Sequence, residues 1–87
     1  MASVEATVSD FLQARYPDNP NVRALVQNAS LLRSGLLDSM AAYELVGILE
    51  RRYEIEILDA EIVPENFDSV RQIEGLVARK LGDAPPR

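Results

Sequence analysis

The sequence predicts an all-α protein: a four-helix bundle of three long helices and one short helix, with a long loop between helices one and two. Of its 87 residues, 47% are hydrophobic and only 6% are aromatic, which is typical of a small helical core built from Leu, Val, Ile and Ala. Apolar residues recur at helical spacing in three separate segments of the chain. A chain of this length supports a single core, so we expect one domain over residues 1–82 and a flexible tail over residues 83–87.

The first helix is predicted over residues 3–16. Ser3 stands at the N-cap position, where its hydroxyl can accept a hydrogen bond from a free amide of the first turn. The helix must end within residues 16–20, because two prolines and the turn-forming residues between them cannot continue it. Its apolar stripe consists of Val4, Val8, Phe11 and Leu12.

Residues 17–37 form the long loop of this prediction. Loops of this length inside a small domain are usually either functional or disordered. The apolar anchors of this one favour order, and they are Val22, Leu25, Val26, Leu31 and Leu32. We expect the first three to allow a brief helical turn and the two leucines to reach the core.

The second long helix is predicted over residues 39–53. Its buried stripe is Ala42, Leu45, Val46, Leu49 and Tyr53. Residues 54–57 then alternate charged and apolar side chains, as a strand would, but a single strand would have no partner. We therefore expect an extended connection there, with Ile55 and Ile57 pointing inward. A short helix fits residues 62–67, because Pro64 is tolerated in a first turn.

The last helix begins after Ser69, whose spacing from Gln72 is that of a capping box. Basic residues close to its end are favourable, because they stand at the negative pole of the helix dipole. Gly82 ends the helix. The predicted apolar stripe is Val70, Ile73, Val77 and Leu81.

The chain contains no Cys and no His. Thiol nucleophiles, disulfides, Cys/His zinc sites and His-based general base catalysis are therefore excluded. The four glycines are too scattered to form a phosphate-binding loop. We expect a protein that is not an enzyme and that has no metal site.

The negative excess behind the net charge of −5 lies in one contiguous stretch of the chain. Residues 38–68 hold nine acids against two arginines, a net −7, and the remainder holds five acids against seven bases, a net +2. An acidic surface of this kind repels nucleic acid and attracts basic protein surfaces, although it can equally serve solubility alone. No apolar run could span a membrane and no signal peptide is visible, so we expect a cytoplasmic protein with no membrane partner.

The candidate site lies at Asp38-Ser39, at the start of the second long helix. In one interpretation Asp38 caps the helix and Ser39, at the first helical position, presents a free hydroxyl to solvent. The positive end of the helix dipole beside it would then favour a phosphate group. In the other interpretation Ser39 is itself the cap and Asp38 is a turn residue. The dipeptide alone does not separate the two.

The wider context resembles the family of acyl, peptidyl and aryl carrier proteins. That family has a Gly or apolar lead-in, an Asp-Ser-Leu triplet, an amphipathic helix, a short third helix and a final helix. The residues that match are Gly35, Leu36, Asp38, Ser39 and Met40, then Glu44-Leu45-Val46, Leu49-Glu50, Glu56-Ile57, residues 62–67 and Asp68-Ser69-Val70. The resemblance covers most of the chain, and it implies the four-helix carrier-protein bundle.

The resemblance implies that Ser39 receives 4′-phosphopantetheine from coenzyme A, through a separate phosphopantetheinyl transferase. The arm ends in a thiol that carries acyl or aminoacyl groups as thioesters in fatty acid, polyketide or nonribosomal peptide-type biosynthesis. Because the chain has no Cys, no second thiol would compete for the cargo. Asp38 would stay close to the phosphate and assist the transfer. The implied state is a monomer.

The implied partners also include ligases that activate acyl or aminoacyl groups, synthases and transferases. By the resemblance they contact Met40, Tyr43, Glu44, Gly47, Glu50 and Arg51. For the first two of these residues, partial core packing is the alternative role, and for the two glutamates it is simple solvation.

Three departures from the family pattern lie on or beside this helix. Met40 replaces the usual Leu, which is a near-isosteric change. Arg51-Arg52 stand where carriers of housekeeping fatty acid synthesis tend to be acidic, and Gly47 replaces a bulkier contact residue. These last two departures favour a dedicated polyketide, nonribosomal peptide or aminoacyl-transfer partner. The alternative hypothesis is an unmodified acidic helical module that binds a basic partner without any change at Ser39.

Overall fold

The computed structural model describes residues 3–82, which contain five α-helices and one 3₁₀ turn. They are α1 (Val4–Arg15), α2 (Val22–Asn28), α3 (Ser39–Tyr53), the 3₁₀ turn (Asp59–Glu61), α4 (Pro64–Phe67) and α5 (Val70–Lys80). The all-α prediction is confirmed. The predicted count of four helices is wrong, because α2 forms inside the expected long loop. The tail predicted over residues 83–87 lies outside the described residues.

Helix α2 forms because its apolar residues are buried in the core. Val22 and Val26 stand one turn apart on the same side, and both are fully buried. No side chain caps its N-terminus, and isolated helices of seven residues are marginal in water. Packing against α1 therefore stabilises this segment, and the brief turn expected from the sequence becomes a seven-residue helix.

Helix α1 begins and ends close to the predicted positions. The Ser3 hydroxyl accepts a hydrogen bond from the Ala6 amide at 3.0 Å, as expected of an N-cap. Val8 and Leu12 are fully buried, and the other two residues of the predicted stripe pack at the edge of the core. The stripe also takes in Thr7, whose hydroxyl donates to the Ser3 carbonyl at 3.0 Å.

The core lies between the long helices and is closed by the loops. Its largest fully buried side chains are Phe67, Leu12, Leu31, Leu37, Leu45, Leu49, Ile73 and Leu76. The predicted inward face of α3 is confirmed, with Ala41 as an additional buried residue and Tyr53 partly buried. In α5, however, Leu76 is buried, which the sequence analysis did not predict. Leu81, which was predicted to be buried, is 47% exposed and lies just beyond the last residue of the helix, Lys80.

The connection from α3 to α4 begins with Glu54 in the left-handed region, at φ 55° and ψ 50°. The following residues are extended without a strand partner, as predicted, with Ile57 buried and Ile55 partly buried. The 3₁₀ turn that follows was not predicted. Its Glu61 carboxylate accepts the Leu58 amide at 2.9 Å and lies 2.6 Å from the Lys80 ammonium of α5.

Asp68, directly after α4, holds the loop that precedes α3. Its carboxylate accepts hydrogen bonds from the Ser30 hydroxyl and, at 3.3 Å, from the Leu32 amide. Its main-chain carbonyl accepts the Leu31 amide at 2.8 Å. These contacts, between residues far apart in the sequence, keep the segment before α3 against the core. None of the helices within residues 3–82 has the length and apolar character needed to cross a membrane.

Candidate functional site

The chain enters α3 through a firmly held turn. Gly35 has φ +79°, a conformation that favours glycine, and Leu36 and Leu37 after it are buried. The Leu37 amide donates to the Leu31 carbonyl at 3.1 Å. The Tyr16 hydroxyl lies 3.3 Å from the Gly35 carbonyl oxygen and 3.2 Å from that of Leu36, so the end of α1 is joined to this turn.

Asp38 is the N-cap of α3. Its backbone is extended, at φ −89° and ψ −176°, and its Oδ1 accepts a hydrogen bond from the Ala41 amide at 2.8 Å. Its main-chain carbonyl accepts the Ala42 amide, also at 2.8 Å. The carboxylate meets the positive end of the helix dipole, which adds to the hydrogen bond. Of the two arrangements left open by the sequence, the structure contains the one in which Asp38 caps the helix.

Ser39 consequently occupies the first helical position, with an exposed side chain. Its hydroxyl makes no hydrogen bond to any other described residue from Ser3 to Gly82. An unpaired hydroxyl at the positive end of a helix is chemically suited to carry a phosphate ester. No side chain within residues 3–82 is hydrogen-bonded to it, so the described part of the chain holds no general base on this oxygen.

A groove of about 280 Å³ begins at Ser39 and runs between α3 and the segment around α4. Ala42 and Tyr43 line it on the α3 side, and Phe67 lines it on the α4 side. The remaining lining residues are Leu32, Asp38, Ile62, Val63 and Pro64. Sequence analysis did not find this groove, because its walls come from segments whose separation depends on tertiary packing.

Arg15, at the end of α1, reaches across to α3. Its guanidinium lies 2.9 Å from the Glu44 carboxylate and 3.9 Å from that of Asp38. A hydrogen bond with the Tyr16 side chain, and then the charges of Glu44 and Asp38, raise the pKa of Arg15 above its ordinary value. Sequence reasoning did not connect Arg15 with the site, and its only signal was a basic residue in the last turn of a helix.

Two apolar residues of the predicted partner surface stand in solvent. Met40 is 70% exposed and Tyr43 is 53% exposed, although Tyr43 also forms part of the groove wall. The alternative role of these side chains, partial packing in the core, therefore accounts for little of the Met40 side chain. Exposed large apolar side chains next to each other often mark a contact surface.

The polar residues of the same predicted surface are less free than the sequence indicated. Glu44 is paired with Arg15, and the half-buried Glu50 accepts the Ile57 amide at 2.9 Å. Arg51 is exposed, and its Nη1 lies 3.6 Å from the place where a Cβ on Gly47 would stand. The structure therefore brings all six predicted contact residues onto one side of α3, with both glutamates engaged within the chain.

The site thus consists of a capping carboxylate, an unpaired hydroxyl and an apolar groove that meet at the N-terminus of α3. Among the described residues, no three acidic side chains come together to form a possible metal site. Comparisons with protein-family models, with curated proteins and with solved structures find no match to this chain. Any functional assignment therefore depends on the residues and their geometry.

Proposed function

We propose that this chain is a carrier protein, which holds acyl or aminoacyl intermediates on a 4′-phosphopantetheine arm attached to Ser39. It would act as the substrate of a phosphopantetheinyl transferase and of the enzymes that load and process the cargo, and would not itself be a catalyst. The proposal combines the resemblance in sequence with the geometry at the start of α3.

The observation that carries the proposal is that Asp38, and not Ser39, caps the helix. Asp38 accepts the Ala41 amide at 2.8 Å, which leaves the adjacent hydroxyl exposed and unpaired. In the attachment reaction, the Ser39 oxygen would bond to the phosphate that joins pantetheine to the nucleotide in coenzyme A. The phosphorus–oxygen bond to adenosine 3′,5′-bisphosphate would break, and the serine proton would pass to the transferase or to solvent.

The surroundings of Ser39 fit a phosphate ester with a long organic arm. The helix dipole favours negative charge at this end, and the hydroxyl faces solvent, where a second protein can reach it. The adjoining groove offers about 280 Å³ beside mostly apolar side chains. The arm supplies a thiol that carries acyl groups, and the chain has no cysteine of its own.

The hydrogen bonds around the turn support accurate presentation of that hydroxyl. Tyr16 joins α1 to the carbonyls of Gly35 and Leu36, and Asp68 holds the segment at Leu31 and Leu32. A transferase must bring two reacting groups to within bonding distance, and a fixed helix end lowers the entropic cost of doing so.

The proposal is tested by incubating the protein with coenzyme A, Mg²⁺ and a broad-specificity phosphopantetheinyl transferase, and then measuring the intact mass. We expect the mass to rise by one phosphopantetheine. Ser39→Ala should abolish the increase, whereas Ser34→Ala, which alters another exposed serine in the preceding loop, should leave it unchanged.

Absence of the mass increase, with a transferase shown to be active on a known carrier, would overturn the proposal. An increase that persists in Ser39→Ala would move the attachment to another residue and would overturn the site. The alternative of an unmodified acidic interaction module predicts no mass increase and full partner binding by Ser39→Ala.

A further inference from the structure

The side of α3 next to Ser39 does not have the acidic character that its sequence indicates. We define the α3 face as Met40, Tyr43, Gly47 and Arg51, which follow one another at helical spacing on one side of the helix. The carboxylates that flank this face are those of Asp38, Glu44 and Glu50. The guanidinium of Arg15 lies beside the first two of these carboxylates, and that of Arg51 lies within the face, so positive charge offsets part of this acidity.

The two flanking glutamates are already engaged within the chain. Glu44 lies 2.9 Å from the Arg15 guanidinium. Glu50 is half-buried and accepts the Ile57 amide at 2.9 Å, which satisfies a main-chain donor of the connection after α3. Withdrawal of Glu50 toward a basic partner would leave that amide without its acceptor, and an unsatisfied donor costs more than an exposed ion pair contributes.

Arg51 is in the opposite situation. It is exposed and has no ion pair with any described residue between Ser3 and Gly82. Its Nη1 lies 3.6 Å from where a Cβ on Gly47 would be, so the guanidinium folds back over the glycine and lies within the α3 face. The Arg51 side chain is exposed, and the exposed side chains of Met40 and Tyr43 lie on the same face nearer the start of the helix.

We propose that the α3 face binds a partner protein whose contact surface has an apolar centre and a carboxylate that pairs with Arg51. This inference depends on the proposed function, since it describes the enzymes that would act on the Ser39 arm. The apolar centre would cover Met40 and Tyr43, and the carboxylate would pair with the one charged group of the α3 face, which has no partner within residues 3–82. Charge complementarity of this kind selects among partners more than it raises affinity.

The test uses two synthetic amphipathic helical peptides as probes. Both carry the same leucine stripe, and they differ only in having glutamate or lysine beside it. Each is titrated into the isotopically labelled 87-residue chain at low salt, and amide chemical shifts give the binding site and the dissociation constant. We expect the glutamate peptide to shift the amides of residues 40–51 and to bind about two- to fivefold more tightly than the lysine peptide, the factor that one exposed ion pair gives.

Arg51→Glu and Arg52→Glu form a matched pair of variants. Both residues are exposed in the last turn of α3 and both changes alter the charge equally, but Arg52 is rotated by about 100° from its neighbour, away from the α3 face. We expect Arg51→Glu to reverse the preference between the two peptides and Arg52→Glu to retain it. Because exposed pairs are screened, the preference of the wild-type protein should shrink in high salt.

Tighter binding of the lysine peptide to the wild-type protein would overturn the inference. Equal effects of the two variants, or shifts by neither peptide along residues 40–51, would overturn it as well. The mass increase at Ser39 is measured separately and without either peptide. A carrier that gains the arm but prefers the lysine peptide would therefore refute this inference and leave the proposed function standing.

Discussion

Replacement of Asp38 by alanine tests the arrangement on which the candidate site depends. The carboxylate accepts the Ala41 amide at 2.8 Å, and its removal leaves that donor without a protein partner. Loss of an N-cap of this type costs about 0.5–2 kcal/mol in the free energy of unfolding. The contact with Arg15, at 3.9 Å and with Asp38 largely in solvent, adds little to that value. We expect Asp38→Ala to lower stability by about 1 kcal/mol.

Two further variants separate the cap from the charge and from the neighbouring hydroxyl. Asp38→Asn keeps an acceptor oxygen but removes the charge, so it should recover most of the loss. Ser39→Ala removes an exposed hydroxyl that makes no hydrogen bond within the described residues, and should change stability by less than about 0.5 kcal/mol.

The assay is urea denaturation followed by far-UV circular dichroism, with the free energy obtained by linear extrapolation at a common slope. The decisive quantity is the difference in the free energy of unfolding between Asp38→Ala and Ser39→Ala. If Ser39→Ala were the more destabilising, Ser39 would be the cap, and the hydroxyl would not be free for modification. That result would refute the assignment of roles at the site.

Three other predictions concern the core and the connections that support the site. Glu54→Gly should raise the free energy of unfolding by about 0.5–1 kcal/mol in the same assay, because Glu54 has φ 55°, where glycine is unstrained; an unchanged or lowered value would contradict this. Leu45→Ala should lower it by about 2–5 kcal/mol, because this side chain is fully buried; a loss below 1 kcal/mol would show that the core closes around the gap. The hydrogen bond from Lys80 holds the pKa of Glu61 below its ordinary value, so its contribution is present at neutral pH and is lost as pH falls through the lowered pKa. Glu61→Gln should therefore be slightly less stable than wild type at neutral pH, and the difference should shrink as the pH falls through the lowered pKa of Glu61. A difference that widened in acid would contradict this reasoning.

The predictable part of the fold is the part set by local sequence. The limits of α3, the caps at Ser3 and Ser69 and the short helix at Pro64 follow from helical spacing and from capping side chains that act within one turn. Helix α2 was underestimated because its stability comes from burial against α1, and a single sequence does not report that contact. The burial of Leu76 and the exposure of Leu81 were also missed, because the width of the buried face of α5 and the place where it leaves the core depend on the neighbouring helices.

The candidate site was predictable in its residues but not in its contacts. The dipeptide Asp38-Ser39 draws attention from sequence alone, because both residues are common at helix starts. Which of them caps depends on the backbone of residue 38, which is extended in the structure. The contacts of Arg15 with Glu44 and of Glu50 with the Ile57 amide join positions whose proximity only the folded chain creates.

Asp68 ties together two segments that line the groove beside Ser39. Leu32 and Phe67, which both line the groove, are joined through this single residue, which follows Phe67 and accepts the Leu32 amide. These two segments can separate only if that hydrogen bond breaks together with those from the Leu31 amide and the Ser30 hydroxyl to Asp68. Native-state hydrogen exchange should therefore show the amides of Leu31 and Leu32 opening as one cooperative unit, and Asp68→Ala should speed both exchanges by a similar factor.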